Sequence, residues 1–503
     1  MGGGANARAA VMNYSATARA TGESGYASFA DVTRELGREP AFERPVVCVQ
    51  GLGFVGSAMA IAVADARLPD GTPAFNVIGV DLPTPEGRAK AAALNEGRLP
   101  VTTTDEKLSA ALAGAHARGN LVASVDERVY ALASVTVVDV PLDVVQGDNG
   151  PTVPLDGFRA AIRTLGMLMP PGGLVVVETT VPPGTCEKVV APELVSALAQ
   201  RGLPADALLV AHSYERVMPG DLYFDSIVNF WRSYAGLTPE AADACESFLS
   251  QVVNVEEYPL TRLSSTTACE TAKVLENSYR ATTIALMEEW GRFAEATGVD
   301  LFEVISTIRR RPTHSNMRQP GFGVGGYCLT KDPLLGAIAA RELFDLDQVE
   351  FPFSTLAVET NQRMPLVTLA LLEALLDGLA GKRILLLGVS YRQDVADTRY
   401  SPAEAFVRAA GDRGAEVTCH DPLVRHWSEL DIAIDAALPP PGSFDAVVFA
   451  VPHREYVTLD FDAWTNGSRP LVVDANGVLT EEQQRRLREL GCRFASIGRG
   501  TAA

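Results

Sequence analysis

Pro45-Val-Val-Cys-Val-Gln50 runs directly into Gly51-Leu-Gly-Phe-Val-Gly56, and a helix-like apolar stretch, Ser57 to Ala66, follows. A short apolar run, a GxGxxG turn and a helix in that order form the dinucleotide fingerprint. Gly51 makes the tight turn, Gly53 admits a pyrophosphate against the backbone and Gly56 lets helix and strand pack, with Phe54 and Val55 between them. The amides of the helix N-terminus then face the phosphates. The spacing alone is a weak signal. It gains weight from a second apolar run, Phe75-Asn-Val-Ile-Gly-Val80, which ends in Asp81, an acid placed to accept from a ribose 2′-hydroxyl and to repel a 2′-phosphate. The expected cofactor is NAD rather than NADP.

Outward from this unit, apolar strands alternate with amphipathic helices, the pattern of a parallel, doubly wound sheet. Leu121 to Ser124, Val135 to Val140, Leu174 to Glu178 and Leu208 to His212 read as strands, and Thr104 to Arg118, Phe158 to Leu168 and Cys186 to Gln200 as helices. Ligands of such sheets bind beyond the carboxyl ends of the strands. That rule selects Val140-Pro141-Leu-Asp143, Glu178-Thr-Thr180 with the following Val-Pro-Pro-Gly, and His212 to Gly220 with Glu215 and Arg216. A second αβ pattern starts at Gly381, with strands at Arg383 to Leu387, Ala415 to His420, Ala446 to Val451, Leu471 to Asp474 and Arg493 to Ile497. Its first turn, Gly388 to Pro402, lacks the GxGxxG spacing, so a different ligand is expected there. The fold class is α/β: two doubly wound Rossmann-like domains joined by a helical segment with a long central helix. Boundaries fall at 1–44 (a flexible N-terminal extension with one short helix near Ser28 to Leu36), 45–262, 263–370 and 371–503.

Composition narrows the function. A net charge of −19 repels nucleic acid and anionic membranes, and no apolar run is long enough to span a bilayer. Seven scattered cysteines without a CxxC pair, and six dispersed histidines, argue against a disulfide framework or a metal site and fit a reducing, cytoplasmic compartment.

Between the αβ units lies Pro320-Gly-Phe-Gly-Val-Gly-Gly-Tyr-Cys-Leu-Thr-Lys-Asp-Pro333. Its glycines, Gly321, Gly323, Gly325 and Gly326, let the backbone approach a ligand closely. The loop delivers one thiol, Cys328, with Asp332 four residues on and Lys331 beside it. Lys331, or a helix starting near Pro333, would lower the thiol pKa. A Gly-rich turn around a small buried Cys is the plainer alternative. On the preceding helical stretch, Thr267 to Thr297, the residues Lys273, Asn277 and Arg280 share one face, as an oxyanion site requires, although a solvated polar stripe fits the same spacing. Arg309, Arg310 and Arg311 form a basic run that is either a phosphate clamp or surface.

Taken together, Gly51 to Gly56, Glu178 to Gly184, Glu215 to Gly220, Lys273-x-x-x-Asn277, Gly321 to Asp332 and Gly388 to Ser401 resemble the nucleotide-sugar (UDP-sugar) 6-dehydrogenases, over about residues 45 to 500. The resemblance implies NAD-dependent, four-electron oxidation of the C6 alcohol of a UDP-sugar to a uronate, a step of polysaccharide biosynthesis, with a thiohemiacetal and then a thioester on Cys328. It further implies that Lys273 and Asn277 stabilise the developing alkoxide, that Asp332 and Thr180 position water, and that Glu215 is an acid or base. Gly51, Gly53, Phe54, Val55, Gly56, Asp81, Pro141 and Thr180 would hold the cofactor. Glu215, Arg216, Lys273, Asn277, Arg280, Phe322, Gly323, Gly325, Arg392 and Arg399 would hold the substrate, the last two near its nucleotide. A homodimer through the central helix is also implied.

Two features bear on the sugar. Glu215-Arg-Val-Met-Pro-Gly220 and Gly321 to Gly326 look like the branch acting on UDP-N-acetylhexosamines, whereas Tyr327-Cys-Leu-Thr-Lys-Asp332 looks like the UDP-glucose branch. UDP-N-acetylhexosamine is favoured, with UDP-glucose the alternative. A two-electron 3-hydroxyacid-type dehydrogenase shares the domain order but has no use for Cys328 or the second sheet.

Overall fold

The computed structural model describes residues 26–37, 43–148, 150–218 and 220–500. The fingerprint strand Val46–Gln50 is buried along its whole length, as a strand covered by helices on both faces must be. Around it the strands Asn76–Val80, Leu121–Ser124, Ala133–Val138, Leu174–Val177, Leu209–Tyr214, Ser233–Gly236 and Thr261–Arg262 form one eight-stranded sheet. Its order is 261–262, 233–236, 209–214, 174–177, 133–138, 46–50, 76–80, 121–124. Chain order therefore reverses between 46–50 and 133–138, the crevice where doubly wound sheets bind ligands.

One departure from the all-parallel expectation is that Ser233–Gly236 pairs antiparallel with Leu209–Tyr214. A parallel return needs a long crossover, and among the described residues the connection holds only the four-residue helix Asp225–Val228. The N-terminal extension also differs from a wholly mobile tail. Its helix, Phe29–Glu35, buries Phe29 and Val32 in the core that contains Val129 and Tyr130, and the Tyr26 hydroxyl donates to Asp126. Residues 1–25 and 38–42 of the extension lie outside the described residues.

The second sheet, of strands Arg383–Leu387, Glu416–His420, Ala446–Phe449, Leu471–Asp474 and Arg493–Ser496, is wholly parallel in the order 416–420, 383–387, 446–449, 471–474, 493–496. Its reversal lies between 383–387 and 446–449. Joining the sheets, the central helix Thr266–Thr297 is capped by Ser265, which accepts from the Ala268 amide, and ended by Gly298 in the left-handed region. A second long helix, Pro352–Leu376, lies alongside it, tied by the Asn361 amide donating to the Ala281 carbonyl at 3.0 Å. Among the described residues no helix is long and apolar enough to cross a membrane.

Candidate active site

The cofactor end follows from the glycines. Gly51 has φ +99°, and a Cβ there would come within 2.6 Å of the Asp139 carbonyl oxygen, so only glycine fits the turn. A Cβ on Gly53 would meet nothing within 4 Å: the space above it is open, as a diphosphate needs. The helix Phe54–Asp65 has no side-chain cap and no acid in its first turn, which leaves its amides to an anion. At the end of the next strand, Asp81 accepts from the Leu52 amide at 3.0 Å and from the Leu82 amide at 2.7 Å, with Lys90 at 3.7 Å. Pro141 follows the strand Ala133–Val138 at the mouth of the crevice. Beside it the Thr179 hydroxyl donates to the Val140 carbonyl at 2.9 Å, and half-buried Thr180 comes next. These residues fit a dinucleotide.

Five predicted catalytic side chains, Lys273, Glu215, Asn277, Asp332 and Cys328, converge on the cleft between the sheets. Lys273, buried on the central helix, donates to the Glu215 carbonyl at 2.6 Å and lies 3.4 Å from the Glu215 carboxylate. One turn on, the Asn277 amide donates to Asp332 at 2.8 Å, and Lys331 reaches the other Asp332 oxygen at 2.9 Å. Burial would lower the Lys273 pKa, but the neighbouring charges, Glu215 foremost and Asp332 among the rest, outweigh it and the net shift is upward, so the ammonium is retained.

Cys328 faces the cleft. Its thiol is not activated in the way Lys331 suggested from sequence: burial and then Asp332 push it up to about 11, against the opposing pull of Lys273 and Lys331. The residue is exposed to solvent, so water softens this rise. Lys331 is occupied by Asp332 and by the Tyr327 ring 4.4 Å away. The helix that follows begins only at Leu335, after a turn at Asp332–Leu334.

The glycines of the Cys loop serve the fold as much as a ligand. A Cβ on Gly325 would meet the Tyr400 carbonyl oxygen at 2.6 Å and Pro402 at 2.8 Å, and one on Gly326 would meet the Tyr391 ring at 2.7 Å. Gly325 and Gly326 are therefore where the carboxyl-terminal unit closes on the catalytic loop. A cavity of about 260 Å³ opens beside this junction, lined by Phe322, Gly323, Ser390 to Gln393, Ser401 to Ala403, Ala450 to Pro452 and Asn476. It sits at the reversal point of the second sheet, and Arg392 supplies its positive charge.

Three predicted binding residues lie elsewhere. Arg399 pairs with Asp397 at 2.7 Å and rests over the Phe54 ring, 5.0 Å to the centroid, and the Tyr327 ring at 5.8 Å, so it leans on the fingerprint rather than lining the cavity. Arg216 pairs with Glu276 at 3.0 Å and donates to the Tyr214 hydroxyl. Arg280 is exposed, close enough to Arg318 to lower its pKa alongside burial, and does not join Lys273 and Asn277. Of the basic run, Arg309 donates to the Met317 carbonyl at 2.9 Å.

Sequence reasoning missed a buried ion pair beneath the crevice, Glu178 with Arg232, whose guanidinium also donates to the Ser213 hydroxyl at 3.1 Å. It missed Asp139, whose carboxyl burial and the Glu215 charge hold well above the usual carboxylate range. It also missed Glu270, one turn before Lys273 on the same helix, for which the i, i+3 spacing was the available signal.

Comparison with known proteins agrees with this arrangement. Residues 46–239 match the NAD binding domain of the UDP-glucose/GDP-mannose dehydrogenase family, 267–363 its central domain and 385–481 its UDP binding domain. The chain is 30% identical over 462 residues to the UDP-N-acetyl-D-mannosamine dehydrogenase of Pyrococcus horikoshii, covering 90% of this chain and 99% of that protein. It is 29% identical over 446 residues to the Methanocaldococcus jannaschii protein of the same name, covering 87% and 93%. The solved structure of the UDP-D-ManNAc dehydrogenase from P. horikoshii superimposes with a TM-score of 0.75 at 28% identity, over 90% of this chain and 99% of that one. With a cofactor crevice, a cleft thiol flanked by Lys273 and Asp332, and a second sheet closing over both, the chain belongs to the UDP-glucose/GDP-mannose dehydrogenase family and is an NAD-dependent nucleotide-sugar dehydrogenase.

Proposed function

We propose that this dehydrogenase oxidises the C6 alcohol of a UDP-N-acetylhexosamine to the uronate through a covalent intermediate on Cys328. The observation that carries the proposal is the convergence of Cys328, Lys273, Asn277, Asp332 and Glu215 on one cleft. NAD, when bound at Gly51 to Gly56, accepts hydride, one molecule for each of the two oxidation steps. The Lys273 ammonium stabilises negative charge on the C6 oxygen as the alcohol loses its proton. The Cys328 sulfur then adds to the aldehyde carbon to give a thiohemiacetal, which keeps the aldehyde from escaping. Loss of a second hydride and the hydroxyl proton gives the thioester. Water, oriented by Asp332 and Thr180, breaks the C–S bond and returns the thiol, with Glu215 taking up or returning a proton.

Residues 45–262 hold the cofactor in this reading, 263–370 carry the catalytic loop, and 371–503 hold the nucleotide of the substrate, with Arg392 beside its phosphates and Phe322 and Gly323 in the cavity wall. The names of the relatives support the acetamido sugar. UDP-glucose is the second reading, favoured by Tyr327 and by the Lys331–Asp332 pair. An NADH assay over a panel of UDP-, GDP- and dTDP-sugars separates the two: the acetamido reading predicts the highest kcat/KM for a UDP-N-acetylhexosamine, and a UDP-glucose optimum would replace it.

The protein is further proposed to act as a homodimer. Leu275, Tyr279, Leu286, Trp290 and Phe293 are exposed along one stripe of the central helix, an apolar face whose natural cover is the same helix of a second copy. Seven free cysteines suit a reducing compartment, the cytoplasm.

A further inference from the structure

Glu270 is buried on the central helix, 1% exposed, and none of the steps above uses it. Its two oxygens accept from backbone amides of another element: Oε2 from Gly184 at 2.5 Å and Oε1 from Cys186 at 2.8 Å. Those amides begin the helical stretch from Cys186 to Gln200, where a negative charge is favoured.

The chain between Thr180 and this clamp is short and stiff. Pro182 and Pro183 fix their φ angles, and the Thr185 hydroxyl donates to the Pro182 carbonyl at 2.6 Å. Gly184 stands at φ +93°, with the Phe344 ring 2.7 Å from where its Cβ would be. Thr180 is thus held on one side by the Thr179 bonds to the Val138 and Val140 carbonyls and on the other, toward the central helix, by the Glu270 bonds.

The groups that bear on Glu270 are few. From the capped helix come the Cys186 thiol, which stabilises the carboxylate by a hydrogen bond, Glu187, whose charge opposes it, and Lys188, which is turned to the Phe344 ring at 4.7 Å. From its own helix come Cys269 and Lys273, the latter committed to Glu215. From the strand Leu209–Tyr214 comes His212, held neutral at about 3 chiefly by burial. On the helix Leu335–Phe344, Arg341 pairs with its neighbour Glu342 at 2.7 Å. Among the described residues no ion pair reaches Glu270, and burial pushes its carboxyl up to about 7.

We propose that Glu270 is a positioning residue, a carboxylate strap that holds the Thr180 loop in register with Lys273 and Asn277 and is complete only in its ionised form. The carboxylate offers one acceptor to each amide. Protonation places a hydrogen on one of these two oxygens and removes the negative charge, so that oxygen becomes a poorer acceptor and its bond to the amide weakens. The strap is therefore whole above neutral pH and slackens as pH falls, which carries an acid limb into turnover. This inference rests on the reading that Thr180 and Lys273 act in the reaction.

The test is kcat and KM of the full-length enzyme between about pH 5.5 and 8.5, for wild type and Glu270→Gln. The wild type is expected to lose turnover below pH ~7 with a slope approaching tenfold per pH unit, as one essential ionisation requires. Glu270→Gln should have a kcat at least ~10-fold lower at pH 8, no limb near pH 7, and a sugar-nucleotide KM within ~3-fold of wild type. A variant that melts earlier but keeps the wild-type limb would mark Glu270 as a structural cap and overturn the proposal. A flat wild-type profile would overturn it even where the variant fails to fold. If Glu270→Gln matches wild type while Cys328→Ala is inactive, the strap fails and the site reading stands; an active Cys328→Ala enzyme removes the reading itself.

Discussion

Cys328 stands among charges of both signs, Asp332 and Glu215 opposing its ionisation and Lys273 and Lys331 favouring it, and burial tips the balance toward the protonated thiol. A protonated thiol resists oxidation and alkylation, and it adds to an aldehyde once its proton is passed on. Cys328→Ala is accordingly expected to lower uronate formation by at least ~10³-fold while NAD binding, followed by tryptophan fluorescence, stays within ~3-fold of wild type. Cys328, Lys273, Asn277 and Asp332 were legible in the sequence because their chemistry resides in side chains at fixed spacings. Glu270 was not, since its partners are two backbone amides that leave no mark on residue type. Arg399, expected near the nucleotide, is laid by the turn of its loop on Phe54, and no pattern in the chain encodes that turn.

The elements show a similar division. Strand ends and the fingerprint were readable from hydrophobic runs and glycine spacing. The helix Pro352–Leu376 was not, because Pro365 lies inside it. That proline cannot donate to the Asn361 carbonyl four residues earlier, and the spared oxygen faces Gly323 of the catalytic loop, 3.0 Å from where a Cβ would be. In the carboxyl-terminal sheet, buried Asp421 accepts from the Val389, Ser390, Leu423 and Val424 amides and lies 3.1 Å from His453. Burial alone would raise its pKa, but these bonds and His453 lower it to about 2. The carboxylate thus adds stability above the ordinary value near pH ~4, and that stability is lost as pH falls toward ~2, amounting to about 2 kcal/mol at pH 7. Asp421→Asn should lower the chemical-denaturation stability of the protein by about that amount at pH 7, with the gap from wild type shrinking below pH ~4. Because Asp421 holds Val389 and Ser390, which lead into the Tyr391–Arg392 wall of the cavity, the variant should also raise the sugar-nucleotide KM.

At the scale of the molecule, a mostly parallel sheet and a wholly parallel one are joined by the central helical segment, with the Cys328 loop packed against the carboxyl-terminal unit at Gly325 and Gly326. Exposed clasps join them: Asp221 of the first unit with Arg454 of the second, and the Tyr400 hydroxyl donating to Asp143 at 3.3 Å. This two-sheet plan was legible because each sheet repeats strand and helix in a simple period. The antiparallel strand Ser233–Gly236 and the docking of the helix Phe29–Glu35 were not, since both depend on which surface a short segment finds after the sheet has formed. Assembly makes a separate prediction. Trp290→Glu with Phe293→Glu places charge on residues 52% and 55% exposed; if the proposed homodimer forms through this stripe, the pair should convert it to monomer in light scattering while leaving the melting temperature of the isolated chain nearly unchanged.

The most direct test of the covalent route is the number of NADH molecules formed per sugar consumed, with free aldehyde trapped by a carbonyl reagent. Capture of the half-oxidised sugar on Cys328 predicts two NADH for each uronate and no trapped aldehyde. One NADH per sugar, with the aldehyde recovered in solution, would contradict it.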